Sequence, residues 1–370
     1  MLMNWKRKND KAMKKLFLFA LFAALCCSCS ESGTDENADS DQGQNNVDQV
    51  DLYTIHVPKK GTLAAVLDEK DLNAEMIVLL KITGELNDED FITIQSMTNL
   101  IEIDLLEVNL PILFGHAFYG NKMIKKVTLP ENLETIENSA FCDCESLTTI
   151  EMPAGSLEAI GDYAFSNCKS LTSIEIPSGV ETIGNYAFND CKSLQTVIFG
   201  ILSYSLKTIG NSVFENCESL KTIIFGNLSY SFKTIGNYAF KNCESLTSIE
   251  FSGNSYTIGN YAFEGCKSLK TVTFKGVSRI GSYAFAGTAI ATVDMSQCKS
   301  DYITIGERAF SECSKLQLFK IGADIPPRCE DNAFWMINPY SVLKVPSGWA
   351  NAYKAATGWT WFASITGLDE

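Results

Sequence analysis

Ile183-Gly-Asn-Tyr-Ala-Phe188-Asn-Asp-Cys191-Lys-Ser-Leu194-Gln-Thr-Val197-Ile-Phe199 decides the architecture of this 370-residue chain. Its key positions recur around Phe118, Phe141, Phe165, Phe188, Phe214, Phe240, Phe263, Phe285, Phe310 and Phe334, spaced 22 to 26 residues apart. A period in that range marks a solenoid, in which each unit is too small to bury its own apolar face and must stack on its neighbours.

Counted from the phenylalanine, a regular unit has an apolar residue at −5, Gly at −4, Ala at −1, Cys at +3, Leu at +6 and apolar residues at +9 and +11. Spacings of three and four through Ile160, Ala164, Phe165 and Cys168 predict one or two helical turns. The alternation of Ile174 and Ile176 predicts a short strand. Each strand is regained only after a crossover, so the strands run parallel, and such crossovers are right-handed. The fold class is therefore α/β: a right-handed solenoid with strands on the concave face and short helices or turns on the convex one.

Glycine at −4 (Gly161, Gly184, Gly210, Gly236, Gly259, Gly281, Gly306) supplies either a turn conformation or close contact between coils. Cysteine at +3 recurs at Cys144, Cys168, Cys191, Cys217, Cys243, Cys266 and Cys313. Metal ligation or disulfides would need cysteines converging on one point, yet these fall one per coil along one edge. Free cysteine is small, apolar and readily buried, and a bond between neighbouring coils would distort the stack. Burial is the expected fate.

The run Ile160-Gly-Asp-Tyr-Ala-Phe165-Ser-Asn-Cys168-Lys-Ser-Leu171 through Ile174, Ile176 and Pro177 resembles the leucine-rich repeats of BspA-like bacterial surface proteins. The resemblance covers roughly residues 55 to 370. It implies a leucine-rich-repeat solenoid with N- and C-terminal caps, and adhesion to other proteins without one particular ligand.

Residues 1–28 read as a lipoprotein signal peptide, with Met1 or Met13 as the true start. Lys6, Arg7, Lys8, Lys11, Lys14 and Lys15 precede an apolar run from Leu16 to Leu25, too short for a membrane span of about 20 residues. Leu25-Cys-Cys-Ser28-Cys29 resembles a lipobox, with Cys29 as the acylated residue and Cys27 second. Lipid chains there would anchor the chain to a membrane, and the expected location is the outer membrane, facing the cell exterior. Residues 29–50 form a disordered acidic tether. Residues 30–50 hold six acidic residues, no basic ones and no aromatics, and span about 25 Å r.m.s..

Residues 51–110 leave the repeat and read as an N-terminal cap, with a helix from Gly61-Thr-Leu-Ala, a buried strand over Met76–Thr83 and a second helical turn near Phe91. The solenoid proper runs over 111–325. Residues 326–370 hold the last degenerate repeat and a C-terminal cap with four of the five tryptophans, either a plug for the last coil or a sugar-stacking platform. Two long repeats, Thr196–Lys221 and Thr222–Thr247, match at 19 of 26 positions. Each carries a loop, and Leu202, Tyr204, Leu228 and Tyr230 there either form an apolar patch or pack down over the core edge.

Residues 1–28 hold six of the 30 basic and one of the 44 acidic residues, so the remainder carries a net charge of −19. Nucleic acid, which demands a cationic surface, is excluded as a partner. The only histidines are His56 and His116, and nucleophile-elbow, phosphate-loop and dinucleotide motifs are missing. No enzyme, cofactor or metal is expected, and the chain is taken as a monomer. Outward strand positions +8 and +10 form the candidate protein-binding face: Glu151, Glu175, Thr196, Ile198, Thr222, Ile224, Glu250, Thr273 and Asp294. Ile198 and Ile224 make its apolar centre, with Glu151, Glu175 and Glu250 to one side. About ten strands at ~4.8 Å give a ribbon of about 750 Å², close to the ~800 Å² that each partner buries in a standard complex. The expected partner is a host or neighbouring-cell protein. A polysaccharide-binding lipoprotein of a glycan-uptake system, using the C-terminal tryptophans, and a structural spacer are the alternatives.

Overall fold

A computed structural model describes residues 51–200, 205–225, 232–251, 256–299 and 302–369. It is a parallel solenoid. The long ladder opens with Leu52–Val57, Leu79–Glu85 and Glu102–Asn109 and continues through Lys126–Thr128 and Thr149–Glu151. Ser173–Ile176, Thr196–Phe199 and Thr222–Ile224 form a second hydrogen-bonded stretch of it, and Ser248–Phe251 through Val342–Val345 to Ser364–Gly367 form a third, which adjoins Thr222–Ile224 without a ladder bond among the described residues. Among the described residues the strand pairs are parallel, for example Thr196 with Ser173 and Thr222, and Val197 with Ile174 and Ile223; the register shifts by a residue between Lys81 and Thr83 and between Tyr256 and Thr257.

A second ladder, not foreseen from the sequence, runs down a side of the coils. It is built from strands such as Thr135–Ile136, Ala159–Ile160, Thr182–Ile183, Thr208–Ile209 and Thr234–Ile235, ten in all among the described residues. The apolar residue at −5 is thus a strand residue, with Ile136, Ile160, Ile183, Ile209 and Ile235 all buried.

The segment expected to be helical is a turn in every repeat, and backbone hydrogen bonding explains why. In a helix each N–H bonds within its own chain segment. Here alternate N–H groups leave the coil. Tyr163, Phe165 and Asn167 donate to the carbonyls of Asn185, Ala187 and Asn189 in the next coil, at 2.7–2.9 Å. The intervening Ser166 and Cys168 close local turns to Tyr163 and Phe165. The alternation bends the chain through left-handed backbone at −2 and +2, as at Tyr163 (φ 56°), Asn167 (φ 62°), Tyr186 (φ 58°) and Asp190 (φ 56°). That conformation interrupts a right-handed helix.

Of the two roles open to the −4 glycine, close contact is the one realised. A Cβ on Gly236 would lie 2.4 Å from the Gly210 carbonyl oxygen, and one on Gly259 would lie 2.5 Å from the Asn237 nitrogen. The adjacent residue uses this proximity. Asn185, Asn211, Asn237 and Asn260 each accept, through Oδ1, the backbone N–H of the equivalent residue one coil on, at 2.8–2.9 Å.

The ten repeat phenylalanines are buried and form one unbroken stack. Successive rings lie 5.0–5.5 Å apart at 0–14°. Phe91 meets one end edge-on at 5.7 Å and Phe362 meets the other at 4.9 Å, geometries that the ring quadrupole favours.

The seven +3 thiols are free and fully buried. Each donates to the phenylalanine carbonyl of the preceding coil, from Cys144 to Phe118 (3.0 Å) to Cys313 to Phe285 (3.3 Å). In the middle coils that carbonyl also accepts its own coil's +3 N–H. A small apolar donor therefore suits the position; at Thr288 a hydroxyl stands there instead and donates to the Phe285 carbonyl of its own coil.

The first rungs are covered by helices Leu63–Glu69 and Asp88–Gln95. Buried Asp90 ties them together by accepting the N–H groups of Gly61, Leu63 and Asn87 at 2.8–2.9 Å. At the far end buried Trp359 and Tyr353 bond the Pro327 and Ala323 carbonyls. Trp359 is part of a plug, closing the choice that the sequence left open for that residue.

Two outcomes test this packing. Buried Tyr256 has a hydroxyl with no hydrogen-bond partner among the described residues, so Tyr256→Phe should raise stability by about 1 kcal/mol in urea titration. Burial pushes the thiols of Cys313 up to about 11 and of Cys144 and Cys191 up to about 12, whereas unfolded thiols ionise near ~8.5. Below that pH both states hold the proton and stability is full. Above it the unfolded state alone ionises, so the unfolding free energy from urea titration should fall between about pH 8.5 and 11–12, by up to about 1.4 kcal/mol per thiol per pH unit.

Candidate functional site

Alternation along each long-ladder strand sends one set of side chains into the core and the other outward. In Ser173–Ile176 the pattern is exposed, buried, exposed, buried. The nine residues expected to form the binding face all fall on outward positions of this ladder. One row holds Thr149, Ser173, Thr196, Thr222, Ser248, Thr271 and Thr292, a hydroxyl on each of seven successive coils. The neighbouring row reads Glu151, Glu175, Ile198, Ile224, Glu250, Thr273, Asp294 and Lys320.

Within that second row Glu175 pairs with Ile198, which pairs with Ile224. Glu250 takes the same position on the next coil. The carboxylates thus lie on both sides of the isoleucine pair, not on one as expected. Ile224 is 40% exposed, while Ile198 is half-buried.

Charge on the face is only partly compensated. Glu151 meets Lys126 at 3.3 Å and Glu250 meets Lys275 at 2.9 Å in solvent-exposed contacts worth ~0–1 kcal/mol each, and Asp294 meets Lys320 at 3.7 Å in a half-buried one. Burial works to raise the Asp294 carboxyl, but the Ser296 hydroxyl and N–H, with Lys320, outweigh it and hold the group below the usual range. Glu175 has no ion-pair partner among the described residues.

The face also reaches further than the repeat pattern indicated. Leu52, Leu79, Lys81, Asp104, Lys126 and Thr128 line a shallow depression of about 240 Å³ at its N-terminal end. Alternation in Leu52–His56 and Leu79–Thr83 was the available signal, obscured because these strands carry no repeat motif. This depression and three others hold about 240–290 Å³ each, below the ~300–1,000 Å³ of small-molecule pockets. No group of three or more His, Cys, Asp or Glu among the described residues is placed to hold a metal ion.

Four expectations lie outside the described residues: the signal peptide of residues 1–28, acylated Cys29, the tether, and the loop patch of Leu202, Tyr204, Leu228 and Tyr230. Among the described residues no helix is long and apolar enough to cross a membrane. Of the C-terminal tryptophans, Trp359 is sealed in the plug, while Trp349 and Trp361 remain 39% and 38% exposed.

The model of the BspA type leucine-rich-repeat region matches residues 112–234 and 233–349, in six copies. The chain belongs to this family. Solved structures similar to it include the Treponema pallidum leucine-rich-repeat protein, at 27% identity over 47% of this chain and 76% of that one, TM-score 0.36. A Bacteroides ovatus leucine-rich-repeat protein is 21% identical over 79% of this chain and 88% of that one, TM-score 0.36. A leucine-rich cell-surface protein of Faecalibacterium prausnitzii is 18% identical over 85% and 83%, TM-score 0.34. No curated protein sequence matches the chain. BspA-type proteins are typically found at cell surfaces, and leucine-rich-repeat solenoids generally serve as non-enzymatic scaffolds that bind proteins.

Because Ile224 contributes little to the core, Ile224→Ser should change stability by less than about 0.5 kcal/mol. Phe214→Ala, in the middle of the ring stack, should cost about 3–5 kcal/mol. Urea titration of the two variants checks both.

Proposed function

We propose that this chain is a surface-tethered recognition module that binds an extended protein of the host matrix or of a neighbouring cell through the outward face of its long strand ladder. The observation that carries the reading is the outward Ile198–Ile224 pair at the centre of that face, Ile224 exposed and Ile198 half-buried, with carboxylates and a row of hydroxyls around it. Interface centres combine an apolar core with a polar rim, and the ribbon is long enough to bury the area of a standard complex. Shallow depressions favour a macromolecule over a metabolite. In this reading Thr196, Thr222, Thr273 and Asp294 belong to the rim and the protein acts as a monomer.

Anchoring completes the role. Cys29 carries the lipid, residues 30–50 hold the solenoid off the outer membrane, and the face looks outward from the cell. Palmitate labelling should vanish in a Cys29→Ala variant; labelling that persists assigns the anchor to another residue.

The binding test is a pulldown from extracellular-matrix extract. Ile198→Arg combined with Ile224→Arg should abolish capture of the protein retained by the wild type while leaving the melting temperature within about 2 °C. Undiminished capture by the double variant removes this face from the function.

A further inference from the structure

The row through Glu175, Ile198, Ile224 and Glu250 has a geometry that restricts its partner. The first three are paired in register, and Glu250 holds the equivalent place one coil on. At ~4.8 Å per coil the two carboxylates stand about 14 Å apart, with both isoleucines between them. An extended polypeptide lying along this row places residues i, i+2 and i+4 on one side, with the outer two about 13 Å apart and the middle one near 7 Å. That midpoint falls over the junction of Ile198 and Ile224.

The charges fit the same alignment. Glu175 has no ion-pair partner among the described residues, and Glu250 is held only by Lys275, in a contact 50% and 62% exposed at its two ends. A partner cation displaces such a contact at little cost. Covering Ile224 removes apolar surface from water, and closing over it desolvates both carboxylates unless cations meet them. An acidic or neutral segment leaves them unpaired, whereas a segment with basic residues at both ends compensates both.

We infer that this face takes an extended polypeptide segment of pattern basic–x–aliphatic–x–basic, its cations over Glu175 and Glu250 and its aliphatic side chain over Ile198 and Ile224. The inference rests on the assignment of the face as the binding surface and adds the chemistry of what binds there.

The test uses the purified chain and immobilised synthetic peptides centred on Lys-Ser-Ile-Ser-Lys, Glu-Ser-Ile-Ser-Glu or Lys-Ser-Ser-Ser-Lys, read by biolayer interferometry. The first should bind about tenfold or more tighter than either other peptide, and weaken several-fold between about 50 and 300 mM salt. Glu175→Gln with Glu250→Gln should lower that affinity about tenfold with an unchanged melting temperature. Equal binding of the charge-reversed peptide, indifference to the double glutamine change, or no binding by any peptide at millimolar concentration overturns the inference. The matrix pulldown separates the two assignments. Capture lost with the isoleucine variant but kept with the glutamine variant leaves the face in place and removes the basic pattern. Capture kept with both removes the face as well.

Discussion

Everything in this molecule depends on where alternate backbone N–H groups of the turn segment go. Donation of the −2, 0 and +2 groups to the next coil fixes each coil against its neighbour on the side opposite the long ladder, where a leucine-rich unit would otherwise be held by side chains alone. The arrangement demands left-handed backbone at −2 and +2, which disfavours most side chains by roughly 1–2 kcal/mol each. Asn, Asp and Gly at +2 adopt it at lower cost, as at Asn167, Asp190, Asn216 and Gly265. Tyrosine at −2 gains compensation from contact along the stack. Tyr238, Tyr261 and Tyr283 lie 4.9–5.0 Å ring to ring, and Lys241 sits over the first two.

Because three sides of the coil are locked in register, the outward face inherits an alignment it does nothing to create. The core residues of a strand such as Thr196–Phe199 are Val197 and Phe199, while Thr196 and Ile198 only project from it. Recognition chemistry at +8 and +10 can therefore vary from coil to coil without disturbing the stack. The long repeats show this separation. Their core positions remain Leu, Ile, Phe and Cys, yet their +10 residues are isoleucine where the flanking coils Ser173–Ile176 and Ser248–Phe251 carry glutamate.

Parallel strands, buried phenylalanines and buried cysteines were legible because each recurs at a fixed offset on ten or fewer similar units. The turn was misread as helical for a physical reason. Short right-handed stretches between left-handed residues give inward contacts three and four apart, as a helix does, and residue type alone does not mark which N–H groups leave the coil. The second ladder was hidden because two-residue strands such as Thr182–Ile183 are too short for any periodicity. Glycine at −4 remained ambiguous, since both positive φ and tight approach select it, and only the 2.4–2.9 Å clearances to the preceding backbone separate them. On the face, Ile198 and Ile224 were readable as outward, but the flanking carboxylates needed the register to place Glu175 and Glu250 on opposite sides.

A stack held together by nearest-neighbour contacts is weakest at its ends, where one side of a coil has no successor. The two ends solve this differently. At the start, helix Asp88–Gln95 brings Phe91 edge-on to Phe118, and Gln95 donates its side-chain amide to the His116 and Ala117 carbonyls, which lack a preceding coil. At the finish no further turn follows Phe334, so aromatic mass substitutes: Trp359 and Phe362 pack against its ring, and Trp361 bonds the Asp331 carbonyl. An indole covers a full coil's apolar cross-section with one side chain and still offers an N–H for a stranded carbonyl. Trp359 and Trp361 serve this end in that way, and Trp359 is occupied by packing, not available to a ligand.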